Sequence, residues 1–169
     1  MNVVLIGMPG CGKTTIGKKL AAKLGKQFVD SDEVFVNELK TPIPQFFAEK
    51  GEGAFRDEEA RILKNLSEQN GLLIATGGGA VTRPENMDCL KANGIILYLN
   101  RPLSEIVCTS DRPLTTNRKA LEEKYEQRKD LYKNAADLIF PVGNDADENT
   151  EGLAVQLKKY GLTATGENQ

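Results

Sequence analysis

The chain has 169 residues, of which 40% are hydrophobic and 27% are charged, a composition typical of one globular domain with a sizeable core. A net charge of −2 argues against a protein that holds nucleic acid by bulk charge. The sequence contains no histidine, which excludes imidazole acid–base catalysis, histidine-activated nucleophiles and histidine-ligated metals. The cysteines Cys11, Cys89 and Cys108 are far apart, without a CxxC pair, and this favours reduced thiols over disulfides or zinc ligands.

Apolar runs of strand length alternate with stretches of helical period from the first residues onward, which predicts an α/β fold with a parallel sheet. The pattern favours a three-layer α/β/α arrangement in a single domain over 1–169. Five short strands, covered by helices on both faces, are expected at 2–6, 27–29, 72–76, 95–99 and 138–140. Helices are expected at about 14–24, 31–40, 44–50, 55–69, 84–92, 103–108, 117–133 and 149–160.

Two segments are predicted to lie outside this regular framework. Residues 109–118 are polar and contain a proline between helical patterns, so we expect an exposed loop that acts as a mobile lid. The tail after residue 161 carries little apolar content and is expected to be disordered. Met1 leads directly into the first apolar run, without a basic leader or an apolar stretch of bilayer length, so we expect a cytoplasmic protein without a membrane partner.

Residues 7–15 read Gly-Met-Pro-Gly-Cys-Gly-Lys-Thr-Thr and match the phosphate-loop pattern GxxxxGK[ST], between a predicted strand and a predicted helix. Glycines let consecutive backbone N–H groups converge on phosphate oxygens, and the helix that follows directs its positive end at them. Lys13 would reach the β- and γ-phosphates, and the Thr14 hydroxyl would serve Mg²⁺ on the nucleotide. Cys11 is interpreted as a small spacer rather than a redox sensor. The expected nucleotide-binding residues are Gly10, Cys11, Gly12, Lys13, Thr14 and Thr15.

Two large classes of phosphate-loop protein are disfavoured. Signalling GTPases need a base-reading Asn-Lys-x-Asp after a late strand, and residues 100–103 read Asn-Arg-Pro-Leu. Motor, transporter and AAA-type ATPases usually have an acidic residue at the end of an apolar strand, but the strands at 72–76 and 95–99 have none there.

Asp30-Ser31-Asp32 follows the second predicted strand, at the sheet edge where the phosphate loop is also expected. Two carboxylates there can divide two tasks: one orients Mg²⁺, directly or through water, and the other accepts the proton of a substrate hydroxyl. The alternative is that Asp30 or Ser31 only caps the next helix. Capping and chemistry are compatible, so both remain open.

Three further pieces are expected at this edge: Arg56 after Phe55, with Glu58 and Glu59 just behind it, then a glycine triplet at 77–79, and Arg128. The triplet would let a substrate approach the backbone closely and would offer N–H donors. Two guanidinium groups would suit a carboxylate. Each arginine alone is more often a surface ion-pair partner, but the surrounding motifs favour the binding role.

The order of these motifs, GMPGCGKTT, FVDSD, FFAEKGEGAFRDEE, ATGGGAV, DRPL and RKDLY, resembles the shikimate kinase family, within the nucleoside-monophosphate-kinase-like P-loop fold. The resemblance extends from Met1 to about Phe140. It implies transfer of the γ-phosphate of ATP to the 3-hydroxyl of shikimate, with Mg²⁺ as cofactor, in aromatic amino-acid synthesis.

The resemblance also implies roles for individual residues. Asp32 would hold and deprotonate the acceptor hydroxyl, and Arg112 of the lid would close over the transferring phosphoryl group. Asp30 would assist Mg²⁺ through water, and Thr14 would ligate it. The shikimate site would consist of Asp32, Arg56, Gly77, Gly78, Gly79, Arg128, Phe47 and Phe55, on predicted helices of about 31–60 and on the loops after them.

The sequence departs from the family around the lid. The family often has an arginine shortly before RPL that stacks on adenine, whereas here no basic residue lies between Arg101 and Arg112. Contacts from 141–144 are a candidate substitute, and weaker ATP affinity or looser nucleotide choice is expected. Two other functions remain open: another small-molecule P-loop kinase, such as a gluconate kinase, and an ATP-binding regulator without efficient transfer. No segment indicates a dimer interface, so a monomer is expected.

Overall fold

The computed structural model describes residues 1–106 and 117–163. Its five strands form one sheet in the order β2-β3-β1-β4-β5, and all neighbouring strands are parallel. The strands are β1 (Asn2–Ile6), β2 (Gln27–Asp30), β3 (Leu72–Ala75), β4 (Gly94–Asn100) and β5 (Leu138–Pro141). The α-helices among the described residues are α1 (Lys13–Leu24), α2 (Ser31–Leu39), α3 (Ile43–Ser67), α4 (Pro84–Lys91), α5 (Arg118–Ala135) and α6 (Ala146–Leu157).

Each face of the sheet packs against its own hydrophobic core. Side chains of α1 and α6, such as Leu20 and Leu153, form the core on one face, and side chains of α2 to α5, such as Phe35 and Leu63, form the core on the other. The predicted three-layer α/β/α arrangement is therefore confirmed. Because every strand runs in the same direction, the loops that follow β1 to β5 meet at one edge of the sheet.

The five predicted strands are present, but the expectation that all are covered on both faces is wrong for the two edge strands. No residue of β2 is fully buried, and β5 is covered on one face only. Leu138 and Phe140 are buried against the core of α1 and α6, whereas Ile139 between them is 45% exposed. This alternation arises because β5 is an edge strand, and a strand with only one covered face alternates between buried and exposed side chains.

The predicted helices are also found, with two differences. The pair expected at 44–50 and 55–69 is α3, which is interrupted at Gly51, where φ is +82°. The helix expected at 103–108 is wrong within the described residues: a 3-10 turn spans Leu103–Glu105, and Ile106 is extended. The Arg118 guanidinium donates to the Leu103 and Ile106 carbonyls, in place of further helical hydrogen bonds there.

The predicted lid and tail fall mostly outside the described residues, which are 1–106 and 117–163. The last two predicted lid residues belong to α5, because Asn117 caps this helix by accepting a hydrogen bond from the Ala120 N–H and Arg118 is its first residue. In the described part of the chain, no helix combines the length and apolarity that crossing a membrane requires.

Candidate active site

A cleft of about 370 Å³ opens where the loops after β1, β2 and β3 meet. It brings together residues that are far apart in the sequence, from the phosphate loop to α5. Its lining includes these residues predicted for the site: Gly10, Gly12, Lys13, Thr14, Thr15, Asp30, Asp32, Phe47, Phe55, Arg56, Gly77, Gly78, Gly79 and Arg128. Arg112 lies outside the described residues.

The phosphate loop connects β1 to α1 through backbone conformations that favour glycine. Gly10 and Gly12 have φ of +82° and +105°, in the region that side chains rarely adopt. α1 begins directly after Gly12, so its first N–H groups face the cleft side of the loop. The Lys13 ammonium donates to the Gly7 and Met8 carbonyls at 2.7 and 2.9 Å, which holds the positive charge beside the loop.

Cys11 is the one described residue of the predicted site that does not line the cleft. Its side chain is fully buried, with Sγ 3.7 Å from the Lys13 ammonium, and its N–H donates to the Met8 carbonyl. A Cβ on Gly7 would come within 2.8 Å of this sulfur, so the space behind the loop is tight. The structure places Cys11 behind the loop, which agrees with a small spacer.

Asp30 has the capping role that the sequence left open, and it also contacts the phosphate-loop residue Thr14. As the N-cap of α2 it accepts a hydrogen bond from the Asp32 N–H through one oxygen at 2.9 Å. Its other oxygen accepts a hydrogen bond from the Thr14 hydroxyl at 3.0 Å. A carboxylate and a hydroxyl thus adjoin each other beside the phosphate loop, and Mg²⁺ prefers oxygen ligands of these kinds.

Asp32 projects from the first turn of α2 into the cleft. Burial raises the pKa of its carboxyl to about 6, and the negative charges of Asp30 and Glu59 act in the same direction. Lys13 and Arg56 oppose this shift. A carboxylate with a pKa in this range accepts a proton more readily than an ordinary aspartate, and it remains largely ionised at neutral pH.

Two guanidinium groups, both almost fully buried, reach the same cleft. Arg56 forms an ion pair with Glu59 at 2.7 Å and a longer one with Glu52 at 3.6 Å. Arg128 is 3% exposed, and within 1–106 and 117–163 no carboxylate oxygen lies within 4 Å of it. A buried positive charge without an anionic partner in the described protein suits an anionic ligand.

The three residues after β3 must be glycine because neighbouring atoms leave no room for a Cβ, and not because their dihedral angles are unusual. A Cβ on Gly77 would stand 2.7 Å from a Glu59 oxygen and 3.0 Å from an Asp32 oxygen, and one on Gly79 would overlap the Arg56 guanidinium. Gly78 packs in the same way against Pro9. The triplet therefore lets the two carboxylates, Pro9 and Arg56 lie close to the backbone.

Sequence reasoning assigned no role to two residues that organise the cleft. Glu59 is 3% exposed, and one of its oxygens has no hydrogen-bond partner in the described residues, while the other binds Arg56. The Tyr132 hydroxyl donates to the Gly78 carbonyl, which ties α5 to the glycine triplet. The spacing in the sequence could have indicated both residues. Glu59 stands three residues after Arg56, and Tyr132 stands four residues after Arg128, so each shares a helix face with an arginine of the cleft.

Aromatic side chains close one wall of the cleft. The Phe47 and Phe55 ring centroids lie 4.7 Å apart, and Phe55 also packs on the buried Phe35 at 5.0 Å. The wall is apolar and faces the charged groups. Such a cleft suits a small molecule with an apolar side and an anionic group.

Comparisons with known proteins identify the family to which the chain belongs. A family model that describes shikimate kinases matches residues 9–158. Shikimate kinases from Burkholderia lata and Psychrobacter cryohalolentis are 37% and 41% identical, over 96% and 99% of this chain and 93% and 95% of theirs. The structure of a shikimate kinase from Acinetobacter baumannii, in complex with shikimate, superimposes with a TM-score of 0.87 at 33% identity, over 94% of this chain and 93% of that one. The chain therefore belongs to the shikimate kinase family and is an ATP-dependent kinase with the nucleoside-monophosphate-kinase-like P-loop fold.

Proposed function

We propose that this enzyme transfers the γ-phosphoryl group of ATP to the 3-hydroxyl of shikimate, giving shikimate 3-phosphate and ADP. The observation that carries the proposal is the position of Asp32, a partly buried carboxylate that lines one cleft with the phosphate loop and with Arg56 and Arg128. This arrangement offers a proton acceptor, a phosphate cradle and a carboxylate-binding pair around one small volume.

The acceptor would bind through charge and shape. Its carboxylate would accept hydrogen bonds from Arg128, which is buried without an anionic partner in the described protein, and from Arg56. The glycine triplet would allow the ring to lie against the backbone, opposite the wall of Phe47 and Phe55. This orientation would direct a ring hydroxyl towards Asp32.

Transfer would then need positioning and charge neutralisation more than covalent catalysis. The 3-hydroxyl oxygen would form a bond to the γ-phosphorus while its proton passes to an Asp32 oxygen. The bond from the γ-phosphorus to the bridging oxygen of ADP would break, and that oxygen would keep the electron pair. Lys13 would neutralise the developing phosphate charge, and we assign Arg112, which lies outside the described residues, to the same task.

Mg²⁺ fits the oxygen groups beside the phosphate loop. Thr14 would supply a hydroxyl ligand, and Asp30, which already accepts a hydrogen bond from that hydroxyl, would act through water. The described residues contain no group of three or more His, Cys, Asp or Glu side chains that could hold a metal, so phosphate oxygens and water would complete the shell. When bound, the ion would offset negative charge on the nucleotide phosphates.

We also propose a domain organisation, a cellular location and an oligomeric state for the chain. We assign residues 1–169 to one kinase domain, with the part of the predicted lid that precedes the Asn117 cap of α5 as a lid, and the helices within about 31–60 as the acceptor-binding part. A cytoplasmic monomer is expected, without nucleic-acid or membrane partners. Size-exclusion chromatography with light scattering would test the oligomeric state.

A coupled assay of ADP release, with ATP and Mg²⁺, tests the reaction directly. Shikimate, gluconate and no acceptor would be compared at equal concentration. Release that depends on shikimate supports the proposal. Release with gluconate alone would assign another small-molecule kinase, and ATP binding without release would favour the regulator.

The Asp32→Asn variant tests the proton acceptor. We expect kcat to fall by about 10²–10⁴-fold, because the amide keeps the shape but cannot take the proton. The dissociation constant for shikimate, measured by calorimetry, should change little. Asp57→Asn is the matched control, since Asp57 is exposed and pairs with Arg83 at the surface. A near-normal kcat for Asp32→Asn would remove Asp32 from this role.

A further inference from the structure

The topology separates the acceptor side of the phosphate loop from a second side. Apart from Arg128 of α5, the acceptor groups follow β2 and β3, which lie on one side of β1 in the sheet order. A nucleotide whose γ-phosphate faces these groups must extend away from them, because its phosphates occupy the loop after β1. Its nucleoside is therefore directed towards the loops that follow β4 and β5.

Arg101 is the residue directly after β4, and its guanidinium lies on this second side. Nη1 is 3.8 Å from the point where a Cβ on Gly12 would stand, at the rim of the phosphate loop. Nη2 donates to the Asn144 side chain, in the loop after β5, at 3.4 Å. Arg101 thus spans the gap between the phosphate loop and the loop after β5.

The hydrogen bonding of Arg101 is incomplete. Its side chain is only 20% exposed, and its Nε is buried without a hydrogen-bond partner in the described residues. The Glu105 carboxylate approaches this Nε no closer than 3.6 Å. A guanidinium that is mostly buried and only loosely paired can interact favourably with an aromatic ring, because guanidinium groups stack on aromatic faces through their planar face.

We propose that Arg101 is a nucleotide-binding residue, which stacks its guanidinium on the nucleobase of the phosphate donor at the gap between Gly12 and Asn144. This inference rests on the proposed use of ATP as donor. Stacking involves the π-face that every base has, so Arg101 contributes affinity rather than discrimination between bases. The loop from Pro141 to Asn144 forms the opposite border of this base site.

Calorimetric titration of the full chain with two probes, Mg·ADP and Mg·tripolyphosphate, tests the assignment. Arg101→Ala should weaken ADP binding about tenfold, as expected for loss of one stacking contact, and tripolyphosphate binding by less than about twofold. Arg101→Lys keeps the charge but not the planar face, so it should behave like Arg101→Ala. Arg61→Ala, which removes a positive charge from an exposed ion pair with Glu38 and Glu58, is the control and should change neither affinity.

Three results would overturn the proposal. Equal weakening of both probes would make Arg101 a phosphate contact, unchanged binding of both would leave it a purely structural link to Asn144, and full rescue by Arg101→Lys would exclude stacking. Thermal unfolding of each variant identifies a loss that comes from misfolding. Because the readout is binding of ADP, failure of shikimate turnover would contradict the proposed reaction without affecting this result.

Discussion

At the scale of single residues, the environment of Asp32 determines its chemistry. Burial and two neighbouring carboxylates raise its pKa, and two cationic side chains only partly offset them. An acid whose pKa is higher in the folded state destabilises that state when the acid is ionised. The catalytic cleft therefore carries a cost in folding free energy at neutral pH, a cost typical of functional sites.

The stability of Asp32→Asn should reveal this cost. At pH 7.5 the variant is expected to be more stable than the parent by about 1–2 kcal/mol, because it lacks the buried charge. Since the folded pKa is about 6 and the ordinary value 3.8, the difference should shrink as the pH falls from about 6 to about 4. Urea unfolding across this pH range measures it. A difference that does not depend on pH, or one also seen in Asp57→Asn, would contradict the assignment.

At the scale of secondary-structure elements, α3 and the loop after β3 form one unit. The loop can approach α3 closely only because residues 77–79 lack a Cβ, and the Arg56–Glu59 pair occupies the space that side chains would need. The Tyr132 hydroxyl holds the loop from the opposite side, through the Gly78 carbonyl. The positions of Arg56 and of the glycine backbone therefore depend on each other.

Gly79→Ala should disturb this unit selectively. The new Cβ overlaps the Arg56 guanidinium, so Arg56 must move, and we expect the KM for shikimate to rise about tenfold or more. ADP affinity should be unchanged, because the phosphate loop is not involved. Steady-state kinetics and ADP titration together test this. Gly53→Ala is the matched control, since a Cβ there meets nothing within 4 Å. Similar kinetics for both variants would argue against the steric explanation.

At the scale of the whole molecule, the sheet order separates two substrate regions. All acceptor groups except Arg128 of α5 follow β2 and β3, and the proposed base site lies in the loops directly after β4 and β5, with the phosphate loop of β1 between them. The proposed Mg²⁺ site, Thr14 and Asp30, adjoins this central loop. Removal of the metal should therefore affect the donor and the transfer step but not the acceptor.

Chelation of Mg²⁺ with excess EDTA tests this separation. ADP release should fall to background, because the phosphate charge is no longer neutralised, while shikimate still binds with a dissociation constant within about twofold of the untreated value. Titration of shikimate in the presence and absence of EDTA makes the comparison, and added Mg²⁺ should restore turnover. Turnover that survives chelation would contradict a role for the metal.

The amino-acid sequence by itself determined much of the framework and many of the cleft residues. Continuous apolar runs such as 2–6 and 95–99 predicted buried parallel strands because a strand covered on both faces needs no polar side. The phosphate loop and the Asp30–Asp32 pair were readable because their function depends on residues that are adjacent in the chain. The glycine triplet and the two arginines were readable from the order of motifs.

Only the tertiary structure decided the features that depend on distant neighbours. Glu59 joins the cleft because it packs beneath Gly77, and Cys11 leaves it because its side chain fills the space behind Gly7. The expected helix after Leu103 is replaced by a turn, and the Arg118 guanidinium donates hydrogen bonds to carbonyls there. Ile139 is exposed because β5 lies at the edge of the sheet. The burial of a side chain, its ion pairs and the pKa of Asp32 all depend on residues that are distant in the sequence, and a local sequence pattern does not specify those neighbours.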